Sequence, residues 1–366
     1  MPEQLPSAAL PGGTAAPPPP FTAAARPPPR PSLTVAAPLP PLPSLTVAAP
    51  PPLTAATAPL ARDWHAPFPL DIRLVLAVHR RGPRDPAFRI DAAGAVWRTS
   101  LTPAGPGTLR VTARPAAAGG AAATVVSAAA WGPGAGWLLE TLPAMLGADD
   151  HPESFAPVHP LLRRLALRYR GVRVGRSCRV LEALVPAILE QKVVTLEAQR
   201  AWRLLLTRFG QSPPGPAPAG MRVFPPSAFW AALPSWEWHR AGVEGVRAAT
   251  IAGAARVAGR LEEIVAMTAG EADRRLRALP GIGPWTSAEV RQRACGDADA
   301  VTVGDYHLPG AVGWALAGRV VDDAGMLELL APYPGHRYRA SRLVELSGAR
   351  PPRRGPRMPV RDYRAF

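Results

Sequence analysis

Lysine is almost missing from this chain of 366 residues: of 42 basic residues, Lys192 is the only one that is not arginine. Cysteine is nearly as scarce. Cys178 and Cys295, the only two, stand far apart and cannot build a four-cysteine zinc site, an iron–sulfur cluster or a disulfide scaffold. No uninterrupted apolar run reaches membrane-spanning length, and the N-terminus lacks a basic start followed by an apolar segment. No membrane partner is expected, and a cytoplasmic location is. Walker-type loops, dinucleotide fingerprints and nucleophile elbows are all absent. His151, Glu153 and His159 have loose metal-like spacing, but nothing in their Pro-rich surroundings would orient them, so no side-chain metal site is expected.

What the chain has in excess is proline (48) and arginine, giving a net charge of +15. Part of the arginine bias reads as a GC-rich coding habit. The sign still favours polyanionic partners, with a pI near 11.3. From Arg350 to Phe366, six arginines face one aspartate, a local +5 that suits either phosphate contact or a solvated tail.

Composition divides the chain into four stretches. Residues 1–62 form a Pro/Ala-rich tail in which Pro31–Pro38 recurs as Pro43–Pro50; proline at this density predicts extended, disordered chain without a core. Residues 63–133 alternate like strands: Leu70–Val78, then Phe88–Asp91 and Ala95–Arg98 about an Ala-Ala-Gly94 turn, then Thr108–Thr112 and Ala123–Ser127. They predict a small antiparallel sheet of four or five strands. Residues 134–346 read as helices, including Gly136–Leu146, His159–Tyr169, a long Leu181–Phe209, Arg247–Thr268, Gly270–Ala278, Pro284–Ala294, Leu308–Ala317 and His336–Leu346. Residues 347–366 are the basic tail. The fold class is therefore α+β, mainly helical.

The densest information lies in Leu279-Pro-Gly-Ile-Gly-Pro-Trp-Thr286 and in Val303-Gly-Asp-Tyr306. Pro280 fixes φ, Gly281 and Gly283 permit a tight hairpin, and Pro284 suits the first position of a helix. Free amides at such a turn would hold one phosphate group. Asp305 follows Gly283 by 22 residues, just ahead of another apolar run. A phosphate anchor with an isolated carboxylate nearby suggests chemistry on nucleic acid.

These residues resemble the helix-hairpin-helix DNA glycosylases, in particular the bacterial 3-methyladenine (alkylated-base) branch. The resemblance covers roughly residues 67–346 and is strongest over 180–200 and 279–309. It implies a helical glycosylase domain behind an N-terminal sheet domain, double-stranded DNA with damaged bases as partner, a monomer, and a nucleoid-associated site of action. It implies no cofactor, since the two cysteines separate this chain from the iron–sulfur branch, but a structural sodium or potassium ion on hairpin carbonyls near Leu279 and Ile282. The implied activity is base excision: flipping an alkylated purine and hydrolysing its N-glycosidic bond. Another damaged base (uracil, hypoxanthine or an oxidised base), or an inactive DNA-binding protein, are the rival readings.

Asp305 is the expected catalytic group. Cleavage builds positive charge on deoxyribose, which one carboxylate near C1′ stabilises while orienting or deprotonating water. It could equally cap the following helix, and both roles can coexist. In lyase-competent relatives a lysine stands two residues after the second hairpin glycine. Here that residue is Trp285, so no Schiff base is expected and its ring, with Tyr306, would line the base pocket. Gln191 matches the family glutamine at the DNA-facing end of a long helix. Lys192 falls where the branch carries an apolar wedge, so intercalation and phosphate contact both stay open. Thr286 and Ser287 are expected beside the hairpin phosphate, and Glu289 stands where the branch often has an aromatic. Trp230, Trp236 and Trp238 read as packing residues.

Overall fold

The computed structural model describes residues 58–116 and 123–352. The repeat within 1–57 and the arginines beyond 352 lie outside the described residues. Among the described residues five antiparallel strands come first: β1 (Leu60–Ala66), β2 (Phe88–Ile90), β3 (Val96–Thr102), β4 (Gly105–Pro115) and β5 (Thr124–Trp131), in spatial order β1-β5-β4-β3-β2. β1 begins inside the stretch assigned to the tail, because its backbone pairs with β5 from Leu60 opposite Ala130 onward.

Leu70–Val78, expected as a strand, is instead α1 (Ile72–Leu76) and a 3₁₀ turn. Asp71 caps it by accepting from the Arg73 and Leu74 amides, both at 3.0 Å. Ile72, Val75 and Leu76 then share one helical face and are buried on it. With α2 (Ala135–Met145), α1 covers one side of the sheet, where Val96, Leu109, Val111 and Val126 meet Val75, Leu138 and Leu142.

Twelve further α-helices follow among the described residues: α3 (Pro160–Arg168), α4 (Val180–Leu189), α5 (Thr195–Phe209), α6 (Ser227–Ala232), α7 (Ser235–Arg240), α8 (Gly245–Arg256), α9 (Ala258–Glu262), α10 (Ala269–Arg277), α11 (Pro284–Val290), α12 (Leu308–Ala317), α13 (Asp323–Leu330) and α14 (Arg337–Ser347). They build two cores. One joins α4 to α11 around Leu184, Ile188, Trp202, Trp230, Ile251 and Val290. The other gathers α3 with α12–α14 around Leu162, Val312, Met326, Leu330 and Val344. The chain passes between the two cores after α11, so the segment linking α11 to α12 belongs to their junction.

Two helices expected to be continuous are broken. Leu181–Phe209 stops at Leu189 and restarts at Thr195, with Lys192 in the left-handed region at φ 55°. Pro186 sits inside α4 without ending it. Arg247–Thr268 divides at Val257, whose φ −111°, ψ 19° closes α8 and opens α9. α13 was not foreseen, although Asp322 caps it by accepting from the Gly325 amide at 2.9 Å. Trp230 and Trp238 are core, whereas Trp236 is 64% exposed.

The sheet is bound to the first helical core by buried carboxylates. Glu182 of α4 accepts from Ser100 Oγ at 2.8 Å and the Leu101 amide at 2.7 Å, and pairs with Arg98 at 3.0 Å. Asp85 accepts from the Arg81 and Ala87 amides and from Trp202 Nε1, at 2.7, 2.9 and 2.8 Å. Each unit charge removed from water here has a partner, without which its burial would be prohibitive.

Candidate active site

The two hairpin glycines are required for different reasons. Gly281 has φ 85°, and a Cβ placed on it would run into the Thr250 side chain. Its conformation and its surroundings both demand glycine. Gly283 is extended at φ −96°, ψ −178°, and a Cβ there would meet nothing within 4 Å. The Leu279 carbonyl accepts from the Ile282 amide at 3.1 Å, which closes the turn. No side chain caps α11 behind Pro284.

Gln191 reaches this turn from the break after α4. Its Nε2 donates to the Gly281 carbonyl at 2.9 Å and to Thr286 Oγ1 at 2.8 Å. Lys192, next in the chain, is exposed. Thr286 and Ser287 are 2% and 0% exposed, and Ser287 Oγ donates to Asp273 at 2.7 Å. This corrects the expectation that their hydroxyls meet phosphate: the first turn of α11 directs them into the core, leaving the backbone of the turn as its outer surface.

Asp305 follows Gly304, a left-handed residue at φ 89° whose amide donates to both carboxylate oxygens of Asp323 at 3.0 Å. Asp305 Oδ1 accepts from the His307 and Leu308 amides at 2.7 and 2.8 Å, capping α12. Its Oδ2 accepts from Trp285 Nε1 at 3.1 Å. The cap reading and the carboxylate beside Trp285 thus hold in one half-buried side chain. Tyr306 does not join them. It is 88% exposed, edge-on to His307, because the turn that points Asp305 inward sends the next side chain out. As arranged here, its ring lines no pocket with Trp285.

One turn beyond Trp285, Glu289 is buried and pairs with Arg293 at 2.8 Å and Arg81 at 3.9 Å. Arg81 also holds Glu190, the residue before Gln191, at 3.0 Å. A charged network therefore fills the place where an aromatic residue is usual in the family the sequence resembles. Glu345 of α14 pairs with Arg342 at 3.4 Å. Burial pushes its carboxyl above the usual range; Arg342 opposes the rise, while Glu289 and Asp305 add to it. A cavity of about 360 Å³ borders the other side of α14 between Phe68, Phe155, Tyr169 and Tyr338, and neither Asp305 nor Trp285 lines it.

Burial raises the Cys178 thiol and pushes that of Cys295 up to about 12, which disfavours the thiolate at both. Among the described residues no three His, Cys, Asp or Glu side chains gather as a metal site. His159 caps α3 instead, its Nδ1 accepting from the Leu161 amide at 3.2 Å. Sequence reasoning missed Asp323 and Arg81 as partners of the site. Tandem Asp322-Asp323 before an apolar run was a readable helix start; Arg81 carries no local signal.

No family model matches the sequence. Over 171 residues it is 30% identical to a probable bifunctional transcriptional activator/DNA repair enzyme AlkA of Mycobacterium tuberculosis, covering 45% of this chain and 34% of that protein. The chain thus spans about a third of the length of the curated relatives it matches. In three dimensions it is similar to a 3-methyladenine DNA-glycosylase from Archaeoglobus fulgidus, with a TM-score of 0.62 and 19% identity, covering 78% of this chain and 98% of that one. It is also similar to the apo form of an 8-oxoguanine glycosylase/lyase from Clostridium acetobutylicum, with a TM-score of 0.58 and 11% identity over 79% and 98% of the two chains.

Proposed function

This chain has the fold of the helix-hairpin-helix DNA glycosylase superfamily, and on that premise we propose that it is a monofunctional DNA glycosylase of base excision repair acting on alkylated purines of the 3-methyladenine type. The observation that carries the reading is the Trp285–Asp305 hydrogen bond at 3.1 Å, which sets one carboxylate at the edge of an aromatic ring one step from the hairpin.

DNA is gripped through phosphate at the turn. Gly281 is explained by the fold, but Gly283 is not: the space a Cβ would take there is empty of protein, as a backbone meant to be approached closely requires. Gln191 holds the turn in shape, and Lys192 faces the duplex where it contacts phosphate or the gap left by the flipped base. A sodium or potassium ion fits the carbonyls of Leu279 and Ile282, since Leu279 accepts one bond in the turn and a carbonyl has two lone pairs.

The flipped purine, cationic when alkylated, stacks on the Trp285 ring. As its bond to C1′ lengthens, charge develops on the sugar and Asp305 stabilises it; water completes the hydrolysis. With tryptophan where a lyase would hold lysine, no covalent sugar adduct forms at that position.

Incubation with methylated duplex DNA tests this directly. Free 3-methyladenine is expected without strand nicking, and Asp305→Asn should lower its release by about 100-fold or more while abasic-site DNA still binds. Equal release by both proteins would refute the mechanism, and nicking by the wild type would refute the monofunctional assignment.

A further inference from the structure

The backbone that places Asp305 has a clamp of its own. Gly304, the residue before it, stands at φ 89°, and a Cβ on it would meet nothing within 4 Å. Glycine is needed there for its left-handed backbone and not for room. Such a residue has no side chain to fix its own peptide plane. Asp323, 19 residues further on in the first turn of α13, supplies the restraint: the Gly304 amide donates to its Oδ1 and Oδ2, each at 3.0 Å. An amide bonded to a carboxylate makes a charge-assisted hydrogen bond, stronger than a neutral one.

An acidic residue in the first turn of a helix has an ordinary explanation in the helix dipole. Here the neighbouring aspartate already serves the helix. Asp322 caps α13 by accepting from the Gly325 amide at 2.9 Å. Among the described residues, Asp323 makes no ion pair, and its side chain accepts only the two bonds from Gly304. α13 is itself fixed, since Met326 and Leu330 are fully buried in the second helical core with Val312 of α12. Asp323 therefore ties the turn before α12 to a helix that cannot shift.

Resting on the glycosylase reading above, we propose that Asp323 is a positioning residue for catalysis: by holding the Gly304 peptide, it sets where the Asp305 carboxylate stands relative to Trp285. Asp305 takes the His307 and Leu308 amides on Oδ1 and the Trp285 indole on Oδ2, so its side chain has little freedom once its backbone is placed. Without Asp323 the Gly304 peptide is free to rotate, and that rotation swings Asp305 away from the indole. Asp323 acts through Gly304 and exchanges no proton with the substrate.

The indole N–H of Trp285 gives a readout that needs no activity. Its nitrogen–proton resonance, identified by its loss in Trp285→Phe, reports the bond to Asp305. Asp323→Ala should shift that resonance and slow single-turnover base release about 10- to 100-fold, the worth of a hydrogen bond to a charged group, with affinity for abasic DNA little changed. Asp323→Asn keeps one acceptor oxygen and should recover part of the rate. Added to Asp305→Asn, Asp323→Ala should cost almost nothing more, because it works only through that carboxylate. Asp322→Ala removes the cap of α13 and should lower the melting temperature while leaving rate and resonance as they are. An unmoved resonance in Asp323→Ala, an equal loss of rate in Asp322→Ala, or a further full loss in the Asp305→Asn background would overturn the assignment. A wild type that releases no base would bring down the glycosylase reading instead, and the resonance would still decide whether Asp323 holds Asp305.

Discussion

Trp285 donates its indole N–H to Asp305 across 3.1 Å, tying the first turn of α11 to the turn that opens α12. The bond joins a helix of one core to a helix of the other. It fixes both the plane of the ring and the rotamer of the carboxylate.

Trp285→Phe keeps an aromatic face and removes that donor. A hydrogen bond to a charged group contributes about 1.5–3 kcal/mol, so single-turnover base release should fall by about 10- to 100-fold while affinity for abasic DNA changes little. An unchanged rate would show that Asp305 is positioned by its α12 amides alone.

The two hairpin glycines should respond oppositely to alanine. Gly281→Ala forces a left-handed alanine against Thr250 and should lower unfolding stability by about 1–3 kcal/mol in urea titration. Gly283→Ala meets open space, so its stability should stay within about 0.5 kcal/mol while duplex affinity drops. A stable Gly283→Ala with full affinity would remove the turn from the DNA interface.

Lys192 pays for its position with a left-handed backbone at φ 55°. Lys192→Gly should raise stability by up to about 1 kcal/mol and weaken DNA binding, with the salt slope of log K reduced by about one if the ammonium meets phosphate. Gained stability without lost affinity would leave the strained residue unexplained by DNA.

His79 gives a pH signature. Burial, then Arg98, Arg293 and Arg81, hold its imidazole well below 6.5, so the native state resists a proton that the unfolded chain accepts. Its share of stability is present above about pH 6.5 and is lost as pH falls below that value, at up to about 1.4 kcal/mol per pH unit, until the native pKa is reached. His79→Leu should flatten this part of the stability profile. Chemical denaturation at several pH values decides it, and an unaltered slope in the variant would assign the loss elsewhere.

The hairpin and Asp305 were legible because they depend on neighbours in the chain: proline and glycine restrict φ over two or three residues, and an Asp caps the helix that follows it. Thr286 and Ser287 were misread for the converse reason, since hydroxyls at a helix start look alike whether they face solvent or Asp273. Leu70–Val78 failed similarly. Its apolar residues satisfy both periods, and the Asp71 cap with the covering of one sheet face selected the helix. The break at 190–194 has no strong local stop signal; Arg81 on Glu190 and the hairpin on Gln191 hold that segment out of line.

Amino-acid order by itself determined the turn chemistry, the helical caps, the absence of a lysine beside the hairpin and the basic charge that favours a polyanion, because each follows from local backbone restriction or composition. Only the packing of two helical cores decided that Asp305 meets Trp285 and that Tyr306 faces solvent. The first relation spans 20 residues of chain, and a contact at that separation exists only once the intervening helices have buried their faces.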